Sequence, residues 1–168
     1  MPLEQTTLST TEAGMLTAAI GTWKLVTGRA DKLFAGASEE RLYTELAPGK
    51  NRLIYLWGHL TAVHDRMLPL LGLGPRLHPE LDAIFLTAPD KTVAELPSTA
   101  DLTSAWAGVN AALLAGFDSL TPAQWLERHA DVSPEDFARE PHRNRLAILL
   151  NRTNHTSFHL GQAVLAPK

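Results

Sequence analysis

The sequence predicts an all-α four-helix bundle, and three observations carry that expectation. Four long segments repeat their apolar residues at spacings of three and four, no stretch alternates as a half-buried strand does, and recognisable start and stop residues punctuate the segments. The length of 168 residues suits a single domain over residues 1–168, and 45% apolar residues suffice for a core.

The first helix is expected from about Thr11 to Phe34, with Leu16, Ile20, Trp23, Ala30 and Leu33 on one face. Ser9-Thr10-Thr11-Glu12 reads as its capping box. A second helix starts after Pro48-Gly49-Lys50 and runs to about Leu71. Its seam is Leu53, Leu56, Leu60, Val63, Met67 and Leu70, loosened by Pro69 and stopped by Gly72 and Gly74. Residues 72–97 hold four of the eleven prolines and read as a long crossover, with a short helical turn at Leu81–Phe85. Ser98-Thr99-Ala100-Asp101 opens a third helix with Leu102, Trp106, Val109, Leu113 and Phe117 facing inward. Thr121-Pro122 opens a short extra helix, and Ser133-Pro134-Glu135 repeats that start signal. The last helix is expected over Asn144–Leu165.

Composition excludes several chemistries. With no cysteine there is no disulfide framework, thiol nucleophile or Cys-type zinc site in the chain. A net charge of −3 offers no global field for nucleic acid or anionic lipid. The apolar runs fall short of the ~20 residues that span a bilayer. Met1–Gly14 has neither the basic nor the apolar region of a secretory signal, so a cytoplasmic protein is expected. Gly72-Leu73-Gly74 is a helix stop rather than a phosphate loop. Glu135, Asp136 and Glu140 read as first-turn acids, and the four tryptophans as core or interface anchors.

Seven histidines remain, so any metal must be held by nitrogen and oxygen ligands. His155 and His159, four apart on the last helix, share a face about 6 Å apart at Cβ. A third ligand has to come from another helix, and the second helix offers His59 and His64. Those two lie on opposite shoulders of the seam, each about 70° from its centre, so periodicity does not choose between them. Leu146, Leu149, Leu150, Leu160 and Val164 form the apolar face opposite His155 and His159, for packing in the bundle or against a second subunit. His78, His129 and His142 fall in connections and read as solvated.

The run Leu56-Trp57-Gly58-His59-Leu60, the ordered Phe85-Leu86, Pro89-Asp90 and Leu96-Pro97-Ser98 of the crossover, and His155-x3-His159-Leu160-Gly161-Gln162 together resemble the DinB-like (DinB/YfiT-like) superfamily of metal-binding four-helix bundles. The likeness runs from the first helix to Gln162. It implies an up-down-down-up bundle, often a homodimer, with a metal triad at His59, His155 and His159. His64 falls outside the matched pattern and is expected at the surface or behind the ligands. Zinc or nickel is the implied metal. The implied activity is a thiol-dependent S-transferase or isomerase using bacillithiol, mycothiol or glutathione, with a small molecule as partner. The alternative is a non-catalytic metal-binding or small-ligand-binding stress-response bundle that acts as a dimer. In the first reading the sulfur must arrive on a cofactor, since the chain has none to offer as thiol. Arg152 either holds a carboxylate of such a ligand or is an ordinary exposed arginine. Gln162 and Asn151 are candidates to orient imidazoles, and Tyr55 to donate a proton, line the cleft or pack.

Overall fold

The computed structural model describes residues 3–167, with side chains described from residue 11. Its helices are α1 (Leu3–Ala35), α2 (Glu39–Leu42), α3 (Leu53–Asp65), α4 (Met67–Leu70), α5 (Thr99–Ser119), α6 (Pro122–Trp125), α7 (Pro134–Arg139) and α8 (Arg145–Val164), with a π-helical turn at Ala83–Thr87. Strand structure among the described residues is limited to two isolated bridges. The long helices α1, α3, α5 and α8 form an all-α bundle in which α1 packs on α8, and α3 packs on both α5 and α8.

Several boundaries differ from the sequence reading. Nothing between Leu3 and Ala13 breaks a helix, and α1 runs straight through Ser9–Glu12, which is therefore no helix start. The side chains of Ser9 and Thr10 lie outside the described residues. The second helix ends early, at Asp65, because Pro69 has no amide to return to the Asp65 carbonyl; α4 resumes after Arg66. Gly72 then turns the chain with φ +71°. The turn in the crossover is π-helical and lies two residues further on than Leu81–Phe85. Two short helices precede α8, each with its expected Ser or Thr cap: Thr121 with a full capping box at α6, and Ser133 at α7. The short α2, capped by Ser38, was not foreseen.

The crossover is anchored to α3 at both ends. At the far end the buried Asp65 carboxylate accepts from Arg76 Nε at 3.0 Å and from the Leu77 and His78 amides at 2.8 and 3.0 Å. Arg76 also grips Asp82 with two contacts of 2.6 Å. At the near end Asp90 accepts from the Arg52 amide and guanidinium, both at 2.6 Å, and so caps α3 from a distance in sequence. Burial pushes the Asp90 carboxyl up, but Arg52 and two amides outweigh it and hold the group below its usual range. Between these anchors the Tyr55 hydroxyl donates to the Ala88 carbonyl at 2.8 Å.

Two apolar clusters fill the bundle. One gathers Phe34, Trp57, Phe85, Leu102 and Trp106; the other gathers Trp23, Met67, Val109, Phe117, Trp125 and Leu149. All four tryptophans are buried, as core residues. The Phe85 ring enters the first cluster directly over Gly58, where an added Cβ would stand 2.3 Å from two ring carbons. Gly58→Ala must therefore push Phe85 out of place. We expect it to cost about 1–3 kcal/mol, read as a lowered urea midpoint at unchanged slope. An unchanged midpoint would mean that Phe85 is not held against α3.

Candidate metal centre

Packing of α3 on α5, α8, α2, α4 and the π-turn covers it on nearly every side. Of its thirteen residues all but His59 are buried. His59 thus occupies the one opening in an otherwise enclosed helix.

Its ring is oriented by the crossover. In a regular helix the Phe85 carbonyl would accept from the residue four further on, but that residue is Pro89, which has no N–H. The carbonyl is left free and accepts from His59 Nδ1 at 3.1 Å. An Nδ1–H donor leaves Nε2 with its lone pair, pointing outward.

On α8 the residues facing inward are Leu149, Thr153, Thr156, Leu160 and Ala163. Of the expected apolar face Leu149 and Leu160 are buried and Leu146 packs at the edge of the core, whereas Leu150 and Val164 are exposed at 51% and 66% and do not pack within the bundle. The two threonines bury at little cost because the Thr153 hydroxyl donates to the Leu149 carbonyl at 2.8 Å and the Thr156 hydroxyl lies within hydrogen-bond reach of both the Arg152 carbonyl and His64 Nε2, one of which takes its single proton. The inward face is thereby rotated toward His155 and His159, which emerge half-buried at its edge. Gln162 Oε1 accepts from His159 Nδ1 at 2.8 Å, setting the same tautomer as in His59. His155 Nδ1 is buried without a partner.

The three Nε2 atoms converge. His155 Nε2 stands 3.4 Å from His59 Nε2 and 3.0 Å from His159 Nε2, and the three ligand atoms lie within 4.8 Å of one another. Two nitrogens bound tetrahedrally to one ion at ~2.1 Å are about 3.4 Å apart, so the set fits a divalent ion. Lone pairs turned toward each other at such distances repel unless a proton or cation lies between them. Burial pushes all three imidazoles below their ordinary value, His155 to about 4, where His159, His59 and Arg152 add to the effect. They are therefore neutral near pH 7, the state that can coordinate a metal.

His64, the other candidate on this helix, does not join them. It is fully buried, with its ring 4.5 Å from Trp23 and 4.9 Å from Trp106, where the two apolar clusters meet. The surface alternative for His64 is thus excluded. Its Nδ1 meets Asn110 Oδ1 at 2.9 Å and its Nε2 meets Thr156 Oγ1 at 2.9 Å. Asn110 spends its amide on the Trp106 carbonyl, so its oxygen faces His64 and the Nδ1–H tautomer is again required.

The other sequence candidates separate clearly. Arg152 lies one turn before His155, half-buried rather than exposed. Tyr55 is buried against Phe85, its hydroxyl committed to Ala88. Asn151 is exposed. His129 is only partly exposed, with a buried Nδ1, and not fully solvated as expected. A cavity of 410 Å³ opens beside His159, walled by Leu46, Ala47, Leu56 and Leu165 with Lys50, Asn51 and Gln162 at its polar side. A larger cleft of 490 Å³ near Leu70, Phe137 and Arg145 holds no metal-ligating cluster. The sequence reading missed the contribution of the α2–α3 connection to the cavity wall, for which only the Ser38-Glu39-Glu40 helix start gave a sign.

Fold and site together define a helical bundle carrying a three-histidine cluster compatible with metal binding. The chain belongs to the DinB superfamily, whose family model matches residues 22–163. No curated protein matches the chain.

Burial pushes His64 down to about 3, against an ordinary value near 6.5. The unfolded chain therefore takes up this proton first. The stability tied to His64 is complete above about pH 6.5 and falls as the pH drops below it, by about 2 kcal/mol at pH 5. In metal-free protein the three half-buried imidazoles, pushed the same way, add to this loss. His64→Gln, which keeps a neutral hydrogen-bonding side chain, should flatten the decline of the urea midpoint between pH 7 and 5. An equally steep decline in that variant would show that His64 is not buried neutral.

Proposed function

We propose that the chain binds one divalent metal, zinc or nickel, through His59, His155 and His159. The single observation that carries this reading is the convergence of three Nε2 lone pairs, two of them set by Nδ1 hydrogen bonds to Phe85 and Gln162. When bound, such an ion supplies Lewis acidity that lowers the pKa of a thiol brought to its open positions. The protein's part is to hold three neutral ligands, leave one side open and offer the cavity beside His159 for an incoming molecule. This supports a thiol-dependent S-transferase of the DinB-like kind, using a low-molecular-weight thiol such as bacillithiol, mycothiol or glutathione on a small electrophile. The chain, read as one domain, would act in the cytoplasm. No helix among the described residues is long and apolar enough to cross a membrane.

A second reading has its own support. Leu150, Phe158, Val164 and Leu165 of the last helical segment are largely exposed, and so are Met15 and Leu25 of α1, which packs on α8. Exposed apolar side chains on adjoining helices favour a homodimer, in keeping with a metal- or ligand-binding bundle that acts without turnover.

Elemental analysis after zinc or nickel loading should find about one ion per chain, and none retained by His159→Ala. Gln162→Leu removes only the partner of His159 Nδ1 and should weaken the metal about 10–100-fold while the fold holds. Wild-type protein that stays metal-free overturns the metal reading. Metal-loaded protein inert toward thiols with a panel of electrophiles favours the non-catalytic dimer.

A further inference from the structure

Among the described residues Arg152 is the one cationic side chain outside the histidines whose charge acts on the cluster, and no carboxylate is paired with it. Its guanidinium is half-buried, and its Nε is cut off from solvent without a hydrogen-bond partner. The other arginine acting on it, Arg66, is paired with Asp82, so Arg152 alone is left over. The surroundings make this more unusual. Among the charges acting on His59, His155, His159 and Arg152, all are cationic or histidine and none is an acid. The three imidazoles carry no charge in the form that coordinates a metal. Loading them with a divalent ion would therefore build a site of about +3 with no carboxylate to offset it, in a partly water-excluded place where charge is costly to leave unpaired.

Other partly buried arginines of this protein pair with carboxylates, Arg52 with Asp90, Arg76 with Asp65 and Asp82, and Arg145 with Glu127; Arg41 on α2, whose Nε is also buried without a partner, is the exception, and its charge does not act on the three histidines. An unpaired guanidinium one helical turn from a metal ligand is left for something that arrives from outside. Its planar fork matches the two oxygens of a carboxylate or similar oxyanion, which a lysine would not reproduce.

We propose that Arg152 is a specificity-determining residue: the ligand of this site is a small anion that places an oxyanion on the Arg152 guanidinium and a separate donor atom toward the ion held by His59, His155 and His159. This assignment rests on the metal reading above. A neutral ligand with the same donor atom forgoes the arginine contact and binds more weakly. The neutral imidazoles and the missing acid give the site a preference for charge, while the cavity beside His159 accommodates the rest of the molecule.

The test uses cobalt-loaded protein, whose visible absorption reports a thiol reaching the metal. Two probes share a three-carbon thiol chain and differ at its end, a carboxylate in 3-mercaptopropionate and a neutral alcohol in 3-mercapto-1-propanol. Wild type should bind the carboxylate probe roughly ten- to hundredfold more tightly, as expected for a hydrogen-bonded charge pair. Arg152→Gln should bring the two affinities together, weakening the carboxylate probe far more than the alcohol probe, and Arg152→Lys should restore only part of the difference. Three results overturn the proposal: equal affinities in wild type; a preference that survives Arg152→Gln, which would place the carboxylate on the metal; or a preference removed by Lys50→Gln instead. Cobalt content, measured before any thiol is added, separates the two readings. Protein that loads cobalt but does not discriminate loses the anion subsite alone, whereas protein that loads none loses the metal reading and the subsite with it.

Discussion

Three imidazoles from two helices meet only if α3 and α8 keep a single register, and His64 is the side chain that ties this register down. It projects from α3 and bonds Asn110 on α5 and Thr156 on α8, the residue next to His155. A slip of α8 by one turn, ~5.4 Å, would leave a buried imidazole nitrogen unsatisfied and would carry His155 away from His59. Leucines alone would not penalise that slip so sharply, because an apolar seam offers similar contacts one turn on. The two rings flanking His64, Trp23 and Trp106, belong to different apolar clusters, so the same side chain also joins the halves of the core. The histidine that binds no metal in this arrangement is the one that aligns those suited to it.

The long crossover has a comparable role at the other side of His59. A shorter connection could join α3 to α5, but it could not pass over the middle of α3. Anchored through Asp65 near one end and Asp90 at the other, the segment lays a π-turn on the helix and presents the Phe85 carbonyl to His59. Pro89 withholds the amide that would otherwise claim that carbonyl, and Gly58 lets the Phe85 ring approach closely enough for the contact. Each of these residues looks like ordinary loop or helix punctuation by itself. Together they determine which nitrogen of His59 carries its proton, and so which one is free.

Much of this was legible in the sequence where the signal is local. Caps at Ser98, Thr121 and Ser133, the stop at Gly72 and the inward stripe from Leu102 to Phe117 all follow from residue type and spacing. The buried side of α8 was legible only at Leu149 and Leu160, because Thr153 and Thr156 count as polar although their hydroxyls find partners inside the bundle. Leu150 and Val164 count as apolar although they face out. Periodicity also treated His59 and His64 alike, since both flank the same seam. Their difference lies in what covers α3 from outside, namely α5 and the inward face of α8 over His64, and a turn of crossover with only the half-buried edge of α8 at His59, and such long-range packing leaves no mark on the spacing within one helix. Resemblance chose His59, and His59 is the one of the two whose ring lies with those of His155 and His159.

Charge explains why a site so placed can be both stable and reactive. Histidine is the one ligand type here that can be buried without a counterion, since it gives up its proton and becomes a neutral donor. Carboxylate ligands would have neutralised an incoming ion but would also have attracted Arg152 into a permanent pair, closing the site on itself as Asp65 and Asp82 close on Arg76. With neutral ligands the positive charge of a bound ion and of Arg152 would stay uncompensated by the described residues. On the proposed reading such a site would favour a bound anion, and a group that binds there would lose its proton more readily for the same reason. Selection of an anionic ligand and activation of its donor atom would then be two consequences of one feature, the absence of acidic groups acting on the three histidines among the described residues.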